Sequence, residues 1–420
     1  MVFRALKYRN FRVFFYGQSI SLIGTWMQYV AMSWLVYRMT GSAFMLGVVG
    51  FASQFPTFVL SPFTGVLADR HNRHKILLFT QTLALLQALI LAILTMTGNI
   101  QVWHIIVMGV FLGCVNSLDM PVRQSFILQM IEEKENLGNA IALNSMMFNM
   151  ARLVGPSIAG VLIAIAGEGV CFLVNAISYL AVIASLVAMD EGIKIKKDKG
   201  KDYDIFKDLK EGFNYVFGFQ PIRAILLLLS IMSLMGMSYA VLMPVFAKDV
   251  LGGGPHTLGF LMAAVGLGAL TGTVYLASGK KAIVFGNTLP VSAGIFGIGI
   301  TAFSFSHNMW ASLFLLFIAG FGIMVQMAAS NTILQTIVDD DKRGRAMSFY
   351  TMSFMGVAPL GSLLAGWLAT KFGATNTLII SGISCIIAAA IFALKVPYLK
   401  KIVQPIYVKM GIAFETEMGG

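Results

Sequence analysis

Three charged side chains lie where the chain is otherwise almost free of charge. Asp119 and Arg123 stand at i and i+4 in CVNSLDMPVRQSF, and Arg152 stands alone in ALNSMMFNMARLVGPSIAGVL. A carboxylate beside guanidinium groups in apolar surroundings permits two kinds of chemistry. Held permanently by one arginine, it is a static pair that ties helix faces together. Offered two arginines, it can exchange partners, or take up a proton when one side exposes it to water. Taking the turn between the two stretches near Lys134, Asp119 and Arg152 lie about 5 Å apart in depth at a rise of 1.5 Å per residue, so both readings stand. A second knot of charge is GVLADRHNRHK, Gly65 to Lys75, where Asp69 sits among Arg70, His71, Arg73, His74 and Lys75.

Other chemistry has no frame here. There is no HExxH, no GxSxG, no nucleotide-binding glycine loop and no CxxC spacing, so neither an enzyme, a cofactor nor a bound metal is expected. Cys114, Cys171 and Cys385 sit singly in apolar runs and read as small buried residues.

The elements that must position these residues follow from composition. Of 420 residues, 57% are hydrophobic and 12% charged, about half the charged share of a soluble domain. A chain this apolar needs lipid as its solvent, and long unbroken apolar runs select helices over a barrel. Twelve transmembrane helices are expected, at about 12–37, 43–68, 76–97, 102–128, 139–166, 169–189, 222–247, 257–279, 282–305, 309–337, 345–370 and 374–395. The fold class is an all-α polytopic membrane protein. The apolar run after the basic N-terminus is too long for a signal peptide, so no cleaved segment is expected.

Between the sixth and seventh spans, residues 190–221 are polar, with five lysines from Lys194 to Lys201. They end in YDIFKDLKEGFNYVF, which places Ile205, Phe206, Leu209, Phe213 and Val216 on one helical face, as in a helix lying at the membrane surface. With both termini cytoplasmic, only Arg38, Lys248 and Lys371 among the 30 Lys and Arg fall on the outer side. This is the asymmetry that orients membrane proteins. The net charge of +11 therefore reflects topology and anionic headgroups rather than nucleic acid.

The halves repeat. A shift of 206 residues places SFILQMIEEKENLGNAIA (Ser125–Ala142) on NTILQTIVDDDKRGRAMS (Asn331–Ser348), and pairs Gly155 with Gly361 and Ala159-Gly160 with Ala365-Gly366. The expected domains are a six-helix bundle at 1–189, a cytoplasmic linker with its surface helix at 190–221, a second six-helix bundle at 222–395 and a basic cytoplasmic tail at 396–420. Two similar bundles suggest rocking of one against the other about a central site.

On these spans, this repeat and the charged loop after the second helix, the chain resembles the major facilitator superfamily over essentially its whole length. The stretch from Ala142 to Leu162 resembles the branch of macrolide-efflux and enterobactin-export proteins. The loop matches G-x-L-A-D-R-x-G-R-R/K at Gly65, Leu67, Ala68, Asp69, Arg70 and Arg73, with Asn72 at a family glycine. The resemblance implies a conformational latch of Gly65, Asp69, Arg70 and Arg73, in which Asp69 meets the N-terminus of the eleventh span. Ser278 replaces the aspartate in the second half. Gly155, Pro156 and Gly160 resemble the exporter motif G-P-x-x-G-G, with Ala159 in place of one glycine. Many superfamily exporters carry an arginine deeper in the fourth span; HIIVMGVFLGC has none. In the family, spans 1, 4, 7 and 10 face the cavity, which implies a lining that includes Trp26, Gln28, Tyr29, Ser233, Met235, Tyr239, Gln326 and Asn331.

The implied function is secondary active export of small amphipathic molecules, drugs or macrolide- or siderophore-like compounds, by alternating access and proton antiport. The alternatives are a lipid or lysophospholipid transporter, or an importer. The expected partners are a small-molecule substrate, protons and membrane lipids, with no nucleic acid, for a monomer in a prokaryotic inner membrane.

Overall fold

The computed structural model describes residues 4–131, 133–189, 205–278, 285–339 and 342–410, leaving aside the side chains at 61–63, 65–70, 134 and 205–211. All its regular structure is helical. In lipid a backbone must satisfy its own polar groups, and a helix does so within one segment.

The elements run α1 (Arg9–Thr40), α2 (Ala43–Arg70), α3 (Arg73–Met96), α4 (Val102–Gln129), α5 (Leu137–Ala166), α6 (Glu168–Val187), α7 (Ile205–Gly218) and α8 (Gln220–Ile231). A π-turn at Met232–Gly236 leads from α8 to α9 (Ser238–Val245), and a second follows at Phe246–Val250. Then come α10 (Pro255–Ser278), α11 (Thr288–Ser304), α12 (Met309–Ile337) and α13 (Arg343–Thr351), a third π-turn at Met352–Gly356, α14 (Ala358–Phe372) and α15 (Ala374–Lys409). Ten spans among the described residues are long and apolar enough to cross a membrane. The apolar α11 is shorter, at 17 residues. Residues 279–284, ahead of it, lie outside the described residues. The 32-residue α1 is long enough, but Arg12, Gln18, Gln28 and Arg38 dilute its apolar character.

Helix ends are set by local chemistry. Asn72 accepts from the backbone N–H of His74 at 3.0 Å and of Lys75 at 3.3 Å, capping α3. With φ at −69° it stands outside the left-handed region, so at the family's glycine position it works as a helix cap. Asn308 caps α12 in the same way. Gly167 and Gly373, 206 residues apart, have φ of 81° and 82° and are one-residue joints between α5 and α6 and between α14 and α15. Such a turn needs glycine, and its recurrence is the sequence repeat expressed in the backbone.

The chain divides into two compact units. Unit 1 comprises Met1–Lys199, Ala240–Gly266 and Ala365–Ala374; unit 2 comprises Gly200–Tyr239, Leu267–Leu364 and Thr375–Gly420. The division differs from the two sequence halves, because it cuts α9, α10 and α14 internally.

In unit 1, α1, α3, α4 and α6 enclose an apolar centre that includes Phe14, Phe126, Ala84, Tyr179 and Val182. The N-terminal segment folds back onto the turn before α5. The Lys7 ammonium lies 2.8 Å from Glu133, holding that carboxyl below and the amine above their ordinary ranges, and the Ala5 N–H donates to Asn139 at 2.8 Å. In unit 2, α7 packs on α13. Phe213 stacks on Phe217 and both rings meet Phe349, while Tyr215 donates to Asp339 at 3.2 Å. The aromatic part of this amphipathic helix thus has a protein partner. The side chains of Ile205, Phe206 and Leu209 lie outside the described residues. Helix α15 runs on past the expected end of the twelfth span, with Leu399, Val403 and Tyr407 buried; the tail begins as helix.

Candidate functional site

The intramembrane charges separate into two groups within unit 1. Asp119 on α4 is 3% exposed. The hydroxyl of Thr80 donates to its Oδ1 at 2.9 Å and the Nε2 of Gln81 at 2.7 Å. Arg123 approaches Oδ2 at 3.4 Å. All three of these groups are donors. Arg152 on α5 takes a different partner. Its guanidinium lies 5.7 Å from the Trp26 ring centroid, a cation–π distance. Trp26 in turn meets Tyr29 and Phe148 edge to face, each at 5.9 Å. Of the sequence-expected residues, the structure thus joins Asp119 with Arg123, and Trp26 with Tyr29 and Arg152.

Gln28 turns toward the packed interior. It donates to Gln87 at 2.9 Å and accepts from Asn175 at 2.8 Å, and all three are at most 3% exposed. These amides tie α1, α3 and α6 together, the role polar side chains take where lipid supplies no hydrophobic drive between helices. Thr80, Gln81, Gln87 and Asn175 were missed by sequence reasoning. Their signal was a set of hydrogen-bonding side chains inside apolar runs.

The small residues of α5 mark close crossings. A Cβ at Gly155 would fall 2.6 Å from that of Trp26, so glycine lets α1 seat against α5. A Cβ at Gly160 would fall 2.9 Å from the Pro255 carbonyl oxygen and 3.0 Å from the Cα atoms of His256 and Gly259 on α10. The same arrangement recurs at Gly366 on α14. There a Cβ would lie 2.9 Å from the Ala43 carbonyl oxygen, 3.1 Å from Phe44 Cα and 3.0 Å from Gly47 Cα on α2. Gly160 and Gly366 are repeat partners, and a shift of 212 residues places Ala43, Phe44 and Gly47 on Pro255, His256 and Gly259. One crossing is thus built twice from the duplicated sequence. Pro156, one turn before Gly160, lies inside α5.

Near these crossings the end of α1 is tied twice. Arg38 holds the buried Glu168 through two bonds of 2.8 and 3.1 Å, a bidentate fork. The Tyr37 hydroxyl donates to Asp249, and the Lys248 ammonium stands 5.6 Å from the Tyr37 ring centroid.

In unit 2, Ser233 is buried and donates to the Phe354 carbonyl at 2.5 Å. Tyr239 is buried, its ring edge-on to Phe296, and Met235 is half-buried. Gln326 is buried and bonds Ser330 at 3.2 Å, leaving its Oε1 without a hydrogen-bond partner. Asn331 accepts from Gln335. The side chains of Gly65, Asp69 and Arg70 lie outside the described residues. Arg73 opens α3, directly after the Asn72 cap.

Comparison with known proteins agrees with this architecture. The family model described as transmembrane secretion effector matches residues 2–406. The staphyloferrin A transporter of Staphylococcus aureus is 28% identical over 382 residues, covering 91% of this chain and 95% of that protein. Macrolide efflux protein A of Streptococcus pyogenes is 23% identical over 412 residues, covering 94% and 99%. The multidrug efflux pump Tap of Mycolicibacterium fortuitum is 24% identical, covering 83% and 87%. Among solved structures, a bacterial homolog of the human lysosomal transporter Spinster superposes with a TM-score of 0.72 at 14% identity, covering 95% of this chain and 98% of that one. With its membrane-spanning helices, the chain is a multi-pass protein of a prokaryotic cell membrane and a transporter rather than an enzyme. It belongs to the transmembrane secretion effector family of the major facilitator superfamily.

Proposed function

We propose that the protein exports small amphipathic molecules by alternating access, driven by proton antiport, through twelve spans in two six-helix bundles with both termini cytoplasmic. The observation that carries this reading is the doubled glycine crossing, α5 on α10 and α14 on α2. Two backbones that meet without side chains between them can part and reseat, and a duplicated chain supplies two such contacts for one closure. On this reading both lie at the outer side, with the Tyr37–Asp249 and Arg38–Glu168 bonds beside them. The inner latch is assigned to Gly65, Asp69, Arg70 and Arg73 on sequence alone.

Asp119 is the carboxylate we assign to coupling. Proton uptake there would remove the charge that Arg123 faces and change the packing of α3 on α4. Trp26, Tyr29, Phe148 and Arg152 form the substrate contact. Aromatic faces accept varied apolar bodies, and a guanidinium held against an indole recognises an anionic or strongly polar group. The relatives named for siderophore, macrolide and multidrug transport support export of such molecules.

The test is flux in proteoliposomes under an imposed pH gradient, with a panel of macrolides, carboxylate siderophores, cationic dyes and lysophospholipids. Wild type is expected to move at least one amphipath with the gradient, and Asp119→Asn to lose the gradient dependence. Gradient-driven flux unchanged in Asp119→Asn removes this residue from coupling. Gradient-independent movement of lysophospholipid alone favours the lipid transporter.

A further inference from the structure

Two π-turns in unit 2 share one sequence pattern. Met232–Gly236 reads MSLMG and Met352–Gly356 reads MSFMG. Each interrupts a long apolar helix and each ends in a non-helical joint, at Met237 and Val357. A π-turn widens the helix, weakens its regular hydrogen bonding and is concentrated at functional positions. Pro244 lies too far beyond the first turn to cause it, whereas Pro359 cannot donate to the Met355 carbonyl and so favours the second.

The two turns are bonded to each other. Ser233, in the first, donates its hydroxyl to the carbonyl of Phe354, in the second, at 2.5 Å. That carbonyl also accepts the N–H of Val357. Close packing supports the pairing: a Cβ at Gly361 would lie 2.6 Å from the Leu234 carbonyl oxygen and 3.0 Å from that of Ser233. Ser233 is fully buried, so its hydroxyl has no water to turn to.

The placement of the turns gives them a use. The helix that contains Met232–Gly236 leaves unit 2 after Tyr239, and the helix that contains Met352–Gly356 leaves it after Leu364. Both therefore pass from one compact unit to the other shortly beyond a widened turn. A regular helix resists bending, whereas a π-turn is one of the few places where it bends sharply.

We infer that the paired Met-Ser-X-Met-Gly π-turns are a coupled hinge, at which these two helices flex together, and that Ser233 is the positioning residue that couples them. The inference rests on the alternating-access reading above. Substitution of the hydroxyl breaks the bond between the turns while leaving each turn's own sequence pattern otherwise intact.

Hydrogen exchange of the full-length protein in lipid nanodiscs tests this without knowledge of the substrate. Amides of 232–237 and 352–357 are expected to exchange faster than those one turn to either side. Ser233→Ala is expected to speed exchange in 352–357, on the other helix, about fivefold, the worth of one neutral hydrogen bond. Ser233→Thr keeps the hydroxyl and is expected to restore the wild-type rate. Deletion of Leu234, which removes the extra residue of the first turn, is expected to slow exchange at 232–237. Exchange at both turns equal to their neighbours overturns the hinge. Faster exchange confined to 232–237 in Ser233→Ala, or equal effects of Ala and Thr, overturns the coupling. These results are independent of flux, so failure of the exporter reading would show separately, as an absence of gradient-driven transport in wild type.

Discussion

At the scale of single residues, the most consequential group is Gln81. Its Nε2 donates to Asp119 at 2.7 Å, while its Oε1 is buried without a hydrogen-bond partner. An unpaired buried acceptor is costly, and here it lies on the side chain that holds the carboxylate. Protonation turns Asp119 from an acceptor into a donor. A half-turn of the Gln81 amide would then present Oε1 to the new O–H, with its NH2 moving to the position Oε1 had held. Gln81→Met, similar in length but unable to hydrogen-bond, is expected to cut gradient-driven flux of a transported dye at least tenfold while leaving gradient-free exchange within about twofold. Equal loss in both assays would make Gln81 a packing residue. The Tyr37–Asp249 bond permits a second residue-scale test. A hydrogen bond to a charged group is worth about 1.5–3 kcal/mol when buried; Asp249 is exposed, so roughly fivefold in the closure equilibrium is a fair expectation. Reactivity of Leu258→Cys, buried beside Gly259, toward an impermeant maleimide should rise by that factor in Tyr37→Phe and in Asp249→Asn. The double variant should add nothing further. The sequence exposed Asp119, Arg123 and Arg152 as charges in lipid but not their partners, because partners depend on how each helix is rotated. In lipid both faces of a helix are apolar, so no amphipathic stripe fixes that rotation. Gln28, taken for a cavity residue, lies in the amide chain for this reason.

At the scale of elements, the apolar runs were legible, while caps and helix irregularity were not. Ser42 and Asn72 as caps and Gly167 and Gly373 as joints follow rules of helix termini that a reading of apolar runs does not apply. The π-turns have no comparable rule; only the repeated Met-Ser-X-Met-Gly pattern signals them, and it gains meaning once the two segments are seen to touch. The glycine crossings stand between these cases, since the Gly160–Gly366 equivalence was in the sequence but the helices they meet were not. Leucine at Gly160 or at Gly366 would drive a side chain into facing backbone, which cannot yield as a side-chain end does. Either change alone is expected to hold the closure open, raising maleimide reactivity at Leu258→Cys at least tenfold and reducing flux below about a tenth, a loss of more than about 1.4 kcal/mol. Gly138→Ala is the control, since no atom lies within 4 Å of its Cβ position. If Gly160→Leu transports normally, the crossing is passive packing.

At the scale of the whole molecule, charge decides which way the chain sits. Insertion reads Lys and Arg in short loops near helix ends, while long acidic stretches count for little. Arg38 ends α1, Lys248 follows α9 and Lys371 ends α14; on the proposed topology these three face outward and the basic clusters of the sequence at 70–75, 194–201, 342–345 and 395–409 inward. Two of these three cations are also engaged, Arg38 with Glu168 and Lys248 with Tyr37, which on the proposed reading serves the outer closure. The asymmetry predicts that, in intact cells of a variant lacking Cys114, Cys171 and Cys385, an impermeant maleimide labels cysteines placed at Asn99 and His307. Cysteines at Lys75, Glu135 and Lys401 should react only after permeabilisation. All five residues are exposed, so access is set by side and not by burial. Labelling of Lys401→Cys in intact cells would invert the topology. The glycine crossings would then close the cytoplasmic face, and Asp119 would meet its protons from the other compartment.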